Sequence, residues 1–211
     1  MTQGLRFFAD WVHPTDSALA VAGLACRRGL RPVFDNLSFT LTAGQALALY
    51  GANGSGKTSL LRQLAGFLAV DGGHVSAVPP RHYLGHADGL KAALTVDETL
   101  AFETRLQNGQ GRISDILATI GLAGRGSQMV GDLSAGQRRR LALARLMLAP
   151  RPLWLLDEPL TALDTQGAEL VNELAAAHLA GGGLIVAASH SPLSFATKSL
   201  RMDEFAAAAS A

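Results

Sequence analysis

The segment Gly51-Ala52-Asn53-Gly54-Ser55-Gly56-Lys57-Thr58 constrains the fold more than any other part of the chain. It fits the pattern G-x4-G-K-S/T. It lies between a short apolar run, Ala46 to Tyr50, and a stretch of helical periodicity, Lys57 to Leu64, that ends near Gly66. A strand that turns through glycines into a helix brings several backbone N–H groups round to one point. The glycines let that backbone wrap closely around phosphate oxygens, and the helix N-terminus adds a partial positive charge. In this pattern Lys57 reaches the β- and γ-phosphates of a nucleotide, and the Thr58 hydroxyl ligates magnesium. ATP with Mg2+ is the expected ligand.

The rest of the chain reads as strands alternating with helices. Leu19 to Arg27 and Asn36 to Leu41 are predicted strands, the second with Leu37, Phe39 and Leu41 on one face. Further on come helix Ala135 to Leu148, strand Leu153 to Leu156, helix Thr165 to Leu179 and strand Leu184 to Ala188. That alternation predicts a mainly parallel α/β core. The middle differs. Thr95 with Glu98 three residues on is a capping-box pattern, opening a helix through about Leu106. Gly109 and Gly111 break it, and Ile113 to Ile120 reads as a second helix ending at Gly121. Residues 87–132 are therefore expected to form a small helical insert. Residues 1–18 read as an irregular arm, 19–205 as one nucleotide-binding domain and 206–211 as a tail.

Composition narrows the function classes. A chain of 211 residues, 48% of them hydrophobic, suffices for one domain with a sizeable core. A net charge of +1 provides no bulk attraction to nucleic acid. The single Cys26 excludes an internal disulfide and reads as a small buried hydrophobe. No apolar run approaches the roughly 18 residues that span a bilayer. The first residues carry Arg6, Asp10, His13 and Asp16 and lack a signal-type apolar stretch. If the protein serves transport, another chain is expected to form the pathway.

Two further motifs carry chemistry. Leu153-Trp154-Leu155-Leu156-Asp157 is an apolar strand ending in a carboxylate, suited to the magnesium shell of a phosphate-loop ATPase. Glu158 follows at the carboxyl end of that strand, where parallel sheets bind their ligands, and is the candidate for polarising the attacking water. Leu133-Ser134-Ala135-Gly136-Gln137 opens a helix read as strongly amphipathic, and a helix N-terminus with small residues is an anion site. Arg138, Arg139 and Arg140 come next. With no aromatic interleaving they are expected on a solvated or partner-facing surface, not as a nucleic-acid patch.

The pentapeptide 133–137, in this order with the other motifs, resembles the signature of the ATP-binding cassettes, and the resemblance spans about residues 19–205. It implies an ABC-type nucleotide-binding domain: a P-loop fold with a mainly parallel core sheet, an antiparallel β subdomain and a small α-helical subdomain. It also implies a homodimer in which the signature serine and amides bind the γ-phosphate held by the opposite subunit. Ala162-Leu163-Asp164 matches the dimer-interface loop of the family, and His190 matches its switch histidine.

Two positions depart from the family pattern. Cassettes usually carry glutamine nine residues before the Thr95-Val96-Asp97-Glu98 segment, where this chain has His86. The aromatic that stacks on adenine, expected near Arg28, is absent. The stretch Gly85-His86-Ala87-Asp88-Gly89-Leu90-Lys91, with Cys26-Arg27 and the short insert, resembles one subgroup. These are the ATP-binding subunits of the haem exporter of bacterial cytochrome c maturation. That resemblance implies a peripheral protein on the cytoplasmic face of the inner membrane, with an integral membrane permease as partner. A non-transport cassette would carry a second cassette or a long coiled coil, and a small-molecule kinase would have no use for the signature. An importer cassette for another solute is opposed only by His86.

Overall fold

The computed structural model describes residues 13, 17–76, 79–109 and 112–207. The expected arm and tail, and Gly111, therefore lie wholly or largely outside the described residues. Three strands form the centre: β3 (Ala46–Tyr50), β6 (Leu153–Asp157) and β7 (Leu184–Ala188). Each is almost wholly apolar and buried along its length, as strands covered on both faces must be. They sit in a five-stranded sheet of order β5-β6-β7-β3-β8, with β5 (Arg81–Leu84) and β8 (Lys198–Arg201) at the edges; every pairing is parallel.

Alternation along these strands divides the core in two. Leu47, Leu49, Leu153, Leu155, Leu184 and Val186 face α1 (Lys57–Ala65), through Leu60, Leu61 and Leu64, and an antiparallel sheet. That sheet has order β2-β1-β4, built from β1 (Ala18–Arg28), β2 (Arg31–Thr42) and β4 (Gly72–Ser76). Ala46, Ala48, Trp154, Leu156, Ile185 and Ala187 face the helices. These are α2 (Val96–Gln107), α3 (Ile113–Thr119), α4 (Ala135–Leu143) and α5 (Thr165–Ala180). Among the described residues, 87–132 hold α2 and α3 and contribute no strand to either sheet. The Thr95–Glu98 capping box is formed in full at the start of α2. No helix among the described residues is long and apolar enough to cross a membrane.

Register sets up the site. Leu49 of β3 and Asp157 of β6 both pair with Ala188 of β7, so the three carboxyl ends finish level. The loops that leave them begin side by side.

Three expectations are corrected here. The strand expected at 36–41 begins at Arg31, because Asn36 takes a left-handed conformation (φ 53°) that shifts the alternation from Phe34 to Leu37. The helix expected to run from Ala135 to Leu148 ends at Leu143 and tightens into a 3-10 turn over Ala144–Met147. The helix α4 is also not strongly amphipathic: Arg139, Leu141, Ala142 and Leu143 are all buried.

Candidate nucleotide site

The phosphate loop leaves β3 and enters α1 through Gly56, whose φ of 103° puts it outside the range of ordinary side chains. A Cβ there would lie 2.7 Å from Phe34 Cδ1 and 2.9 Å from Val33 Cγ1, so β2 packs directly under the loop and only glycine fits. With glycine at the N-cap, no side chain caps α1, and its first amides remain available to an anion. Lys57 is buried, and its ammonium donates to Gly51 O at 2.6 Å and Ala52 O at 3.2 Å. The Thr58 hydroxyl donates to Asp157 Oδ2 at 2.9 Å.

Asp157 closes β6 in full burial. Glu158 then adopts φ 51°, a left-handed conformation that costs a non-glycine residue on the order of 1–2 kcal/mol. Its N–H bonds Ala188 O at 3.0 Å, which anchors the turn to the end of β7. The side chain consequently points along that edge toward His190. Glu158 Oε2 accepts from the His190 backbone N at 3.4 Å, and Oε1 lies 3.4 Å from His190 Nε2. That second contact is close enough for an ion pair but is not aligned as a hydrogen bond, and Oε1 is buried with no hydrogen-bond partner among the described residues. An unsatisfied buried carboxylate oxygen beside a half-exposed imidazole can take a hydrogen bond from a water or a hydroxyl.

These groups share one cleft of about 600 Å3, lined also by Arg28, Val33, Asn53, Thr161 and His86. His86 is exposed on its wall. Among the described residues, no Phe, Tyr or Trp lines the cleft. Phe34 cannot supply such a ring, because it is 1% exposed beneath Gly56. Arg28 lies at the mouth with Nη2 3.2 Å from Ser59 Oγ.

The donor set fits a magnesium nucleotide. Thr58 and Asp157 offer two hard oxygens within hydrogen-bonding distance, the kind of ligand Mg2+ takes while keeping several waters. The orphaned Ser55 Oγ lies in the same loop.

The segment 133–137 does not line this cleft. Ser134 caps α4 through a reciprocal capping box, accepting from Gln137 N at 3.2 Å while its own N–H donates to Gln137 Oε1 at 2.9 Å. Gly136 packs against Ala162, where a Cβ would sit 3.2 Å from the Ala162 carbonyl oxygen. Ala162 is left-handed at φ 64°, Leu163 follows, and Asp164 caps α5 by accepting from Gly167 N at 2.8 Å. The signature and the loop 162–164 are thus neighbours, and neither lines the cleft that holds the chain's own phosphate loop.

The arginine run is not the solvated face expected from sequence. Arg138 donates to Leu133 O, and Arg140 is partly buried. Arg139 is 3% exposed and grips four acceptors: Gly85 O at 3.0 Å, Asp88 Oδ1 at 3.1 Å, Asp157 O at 3.1 Å and Glu158 O at 2.7 Å. Helical spacing carries the signal for this, since Arg139 lies three and four residues before Ala142 and Leu143, which are buried in the core.

Comparison with known proteins agrees with this geometry. The family model described as ABC transporter matches residues 34–161. The cytochrome c biogenesis ATP-binding export protein CcmA of Rhodopseudomonas palustris (strain BisB5) is 48% identical over 194 residues, covering 87% of this chain and 97% of its own. The protein of the same name from Rhizobium meliloti (strain 1021) is 46% identical over 203 residues, covering 89% and 98%. Among solved structures, an ABC transporter ATP-binding protein from Pyrococcus furiosus superposes with a TM-score of 0.79 at 21% identity, covering 90% of this chain and 100% of its own. On the sequence matches the chain belongs to the ABC transporter family, within the group of CcmA ATP-binding export proteins.

Proposed function

We propose that this chain binds and hydrolyses ATP between the two subunits of a homodimer, and so powers an integral membrane permease that exports haem for c-type cytochrome assembly. It acts on the cytoplasmic face of the bacterial inner membrane as a peripheral subunit. The observation that carries the reading is the convergence of the phosphate loop, the Thr58–Asp157 pair and the Glu158–His190 pair in one cleft, in a chain 46–48% identical to the CcmA export proteins.

Each residue then has a chemical part. Gly51, Ala52, Asn53, Gly54, Ser55 and Gly56 wrap the phosphates with backbone amides, and Lys57 exchanges its two carbonyl partners for phosphate oxygens. Thr58 and Asp157 would hold Mg2+, which would supply charge neutralisation at the phosphates. Glu158 polarises the attacking water, and His190, held against it, responds to the γ-phosphate. Leu133, Ser134, Ala135, Gly136 and Gln137 serve the opposite subunit, which their position outside their own cleft supports. Ala162, Leu163 and Asp164 line the dimer seam beside them.

Docking of the permease is assigned to the helical insert. Phe102 and Leu106, one turn apart on α2, are 54% and 68% exposed. Leu106 borders a second cleft of about 670 Å3 with Phe67, Tyr83, Glu103 and Arg145. A cytoplasmic segment of the permease with apolar side chains would cover that surface. Deleting the gene tests the haem assignment: c-type cytochromes should disappear, and return with the parent gene but not with a Lys57→Ala copy. Normal cytochrome maturation in the deletion strain would leave only the ATPase reading.

A further inference from the structure

The two clefts are joined by an unbroken set of polar contacts centred on two arginines. Glu103, on the wall of the second cleft, pairs with Arg145 Nε at 2.9 Å. Arg145 donates through Nη1 to Asp88 O and through Nη2 to Gly89 O, both at 2.9 Å. The Asp88 carboxylate meets Arg139 Nη1 at 3.1 Å. The same Nη1 holds Gly85 O, immediately before His86, and Nη2 holds the carbonyls of Asp157 and Glu158. One buried guanidinium therefore joins the backbone beneath both site carboxylates to the loop that carries His86.

We propose that Arg139 is a positioning residue for Glu158, and that Arg145 and Glu103 extend its hold to the second cleft. Glu158 sits in a left-handed conformation that its own side chain does not favour, so the conformation must be held from outside. Its N–H is tied to Ala188, and its carbonyl to Arg139. Releasing the carbonyl end lets the turn relax and swings the carboxylate away from His190. The planar guanidinium fork spans carbonyls on two segments at once, which an ammonium at the same place does not reproduce. A segment seated in the second cleft would act on Arg145 and Glu103, and through the Asp88 loop on Arg139. The inference rests on Glu158 being the water-polarising group.

The test is a double-mutant cycle on the purified full-length protein, with ATP as substrate and single-turnover detection. Arg139→Lys should lower kcat about tenfold or more while KM for ATP stays within about threefold, since a small misplacement of a reacting group costs rate more than binding. In a Glu158→Gln background the same substitution should change the residual rate hardly at all. A purely structural role would lower both backgrounds by the same factor, and that outcome overturns the inference. If Arg139→Lys does not fold, Asp88→Asn, which alters only its quarter-exposed partner, is put through the same cycle with the same criteria. Glu103→Gln should show a smaller loss that disappears when combined with Arg139→Lys; additive losses would remove the second cleft from the network. Should Glu158→Gln alone turn over at the parent rate, the role given to Glu158 falls, and Arg139 loses its object.

Discussion

Acidification below about pH 6.5 should destabilise this protein. Three buried histidines contribute; burial lowers His13, and the two with the largest shifts, His178 and His82, lie near the amino end of the parallel sheet. His178 is 1% exposed, stacks on Trp154 with ring centroids 3.9 Å apart, and has Nε2 3.3 Å from Leu184 O and Nδ1 3.3 Å from His13. His82 Nε2 lies 2.9 Å from Ala149 O. Burial disfavours the charged form of each ring, pushing His178 down to about 3 and His82 down to about 4. In the unfolded chain both titrate near 6.5. Between those values the unfolded state binds more protons than the folded state. Stability is therefore intact above about pH 6.5 and is lost as the pH falls toward the folded values. At about pH 5 the linkage relation gives roughly 2 kcal/mol from each ring, and roughly 4 kcal/mol together. Urea unfolding, followed by far-UV circular dichroism at neutral pH and near pH 5, measures the difference. His178→Phe, which keeps a ring against Trp154, should remove about half of the pH dependence whatever it does to absolute stability. A stability that is flat across this range, or a slope unchanged in His178→Phe combined with His82→Gln, would refute the reasoning.

Other predictions follow from the site. Ser134→Arg should abolish hydrolysis while ATP still binds, and parent activity per subunit should rise with protein concentration; constant specific activity on dilution through the monomer range would contradict a shared site. Among the described residues, no Phe, Tyr or Trp lines the cleft to fix the plane of a base and present its edge for reading, so GTP should bind within about tenfold of ATP. A hundredfold preference for ATP, measured by competition, would show that another group reads the base. His86→Ala should separate hydrolysis from use: ATP turnover persists, while the variant gene fails to restore c-type cytochromes to a deletion strain. Restoration at the parent level would remove His86 from coupling.

The parts of the fold legible in the sequence are those whose burial leaves no choice of residue. Ala46–Tyr50 and Leu184–Ala188 were readable to the residue because strands covered on both faces must be apolar throughout. The start of α2 was readable because Thr95 and Glu98 satisfy each other's backbone. By contrast, β5 and β8 are short edge strands of largely polar residues, Arg81–Leu84 and Lys198–Arg201, and carry no pattern that separates them from loops. In the site, Lys57, Thr58, Asp157 and Glu158 follow from strand, turn and helix alone. His190 and His86 needed the family resemblance, since a single histidine after a strand has many uses. The buried position of Arg139 is not legible, because three consecutive arginines suggest a wet surface, whereas its partners are three backbone carbonyls and the Asp88 carboxylate from segments about 20 and 50 residues away, which sequence does not bring together.

The most direct measurement is ATP turnover by Glu158→Gln, read together with its state of association. The account predicts turnover about 10²–10⁴-fold below the parent, as expected on losing a group that handles the attacking water, with ATP binding retained by the intact phosphate loop. Sedimentation in the presence of Mg2+ and ATP should then show a stable dimer that the parent protein forms only transiently. Turnover at the parent rate, or a species that remains monomeric with ATP bound, would contradict it.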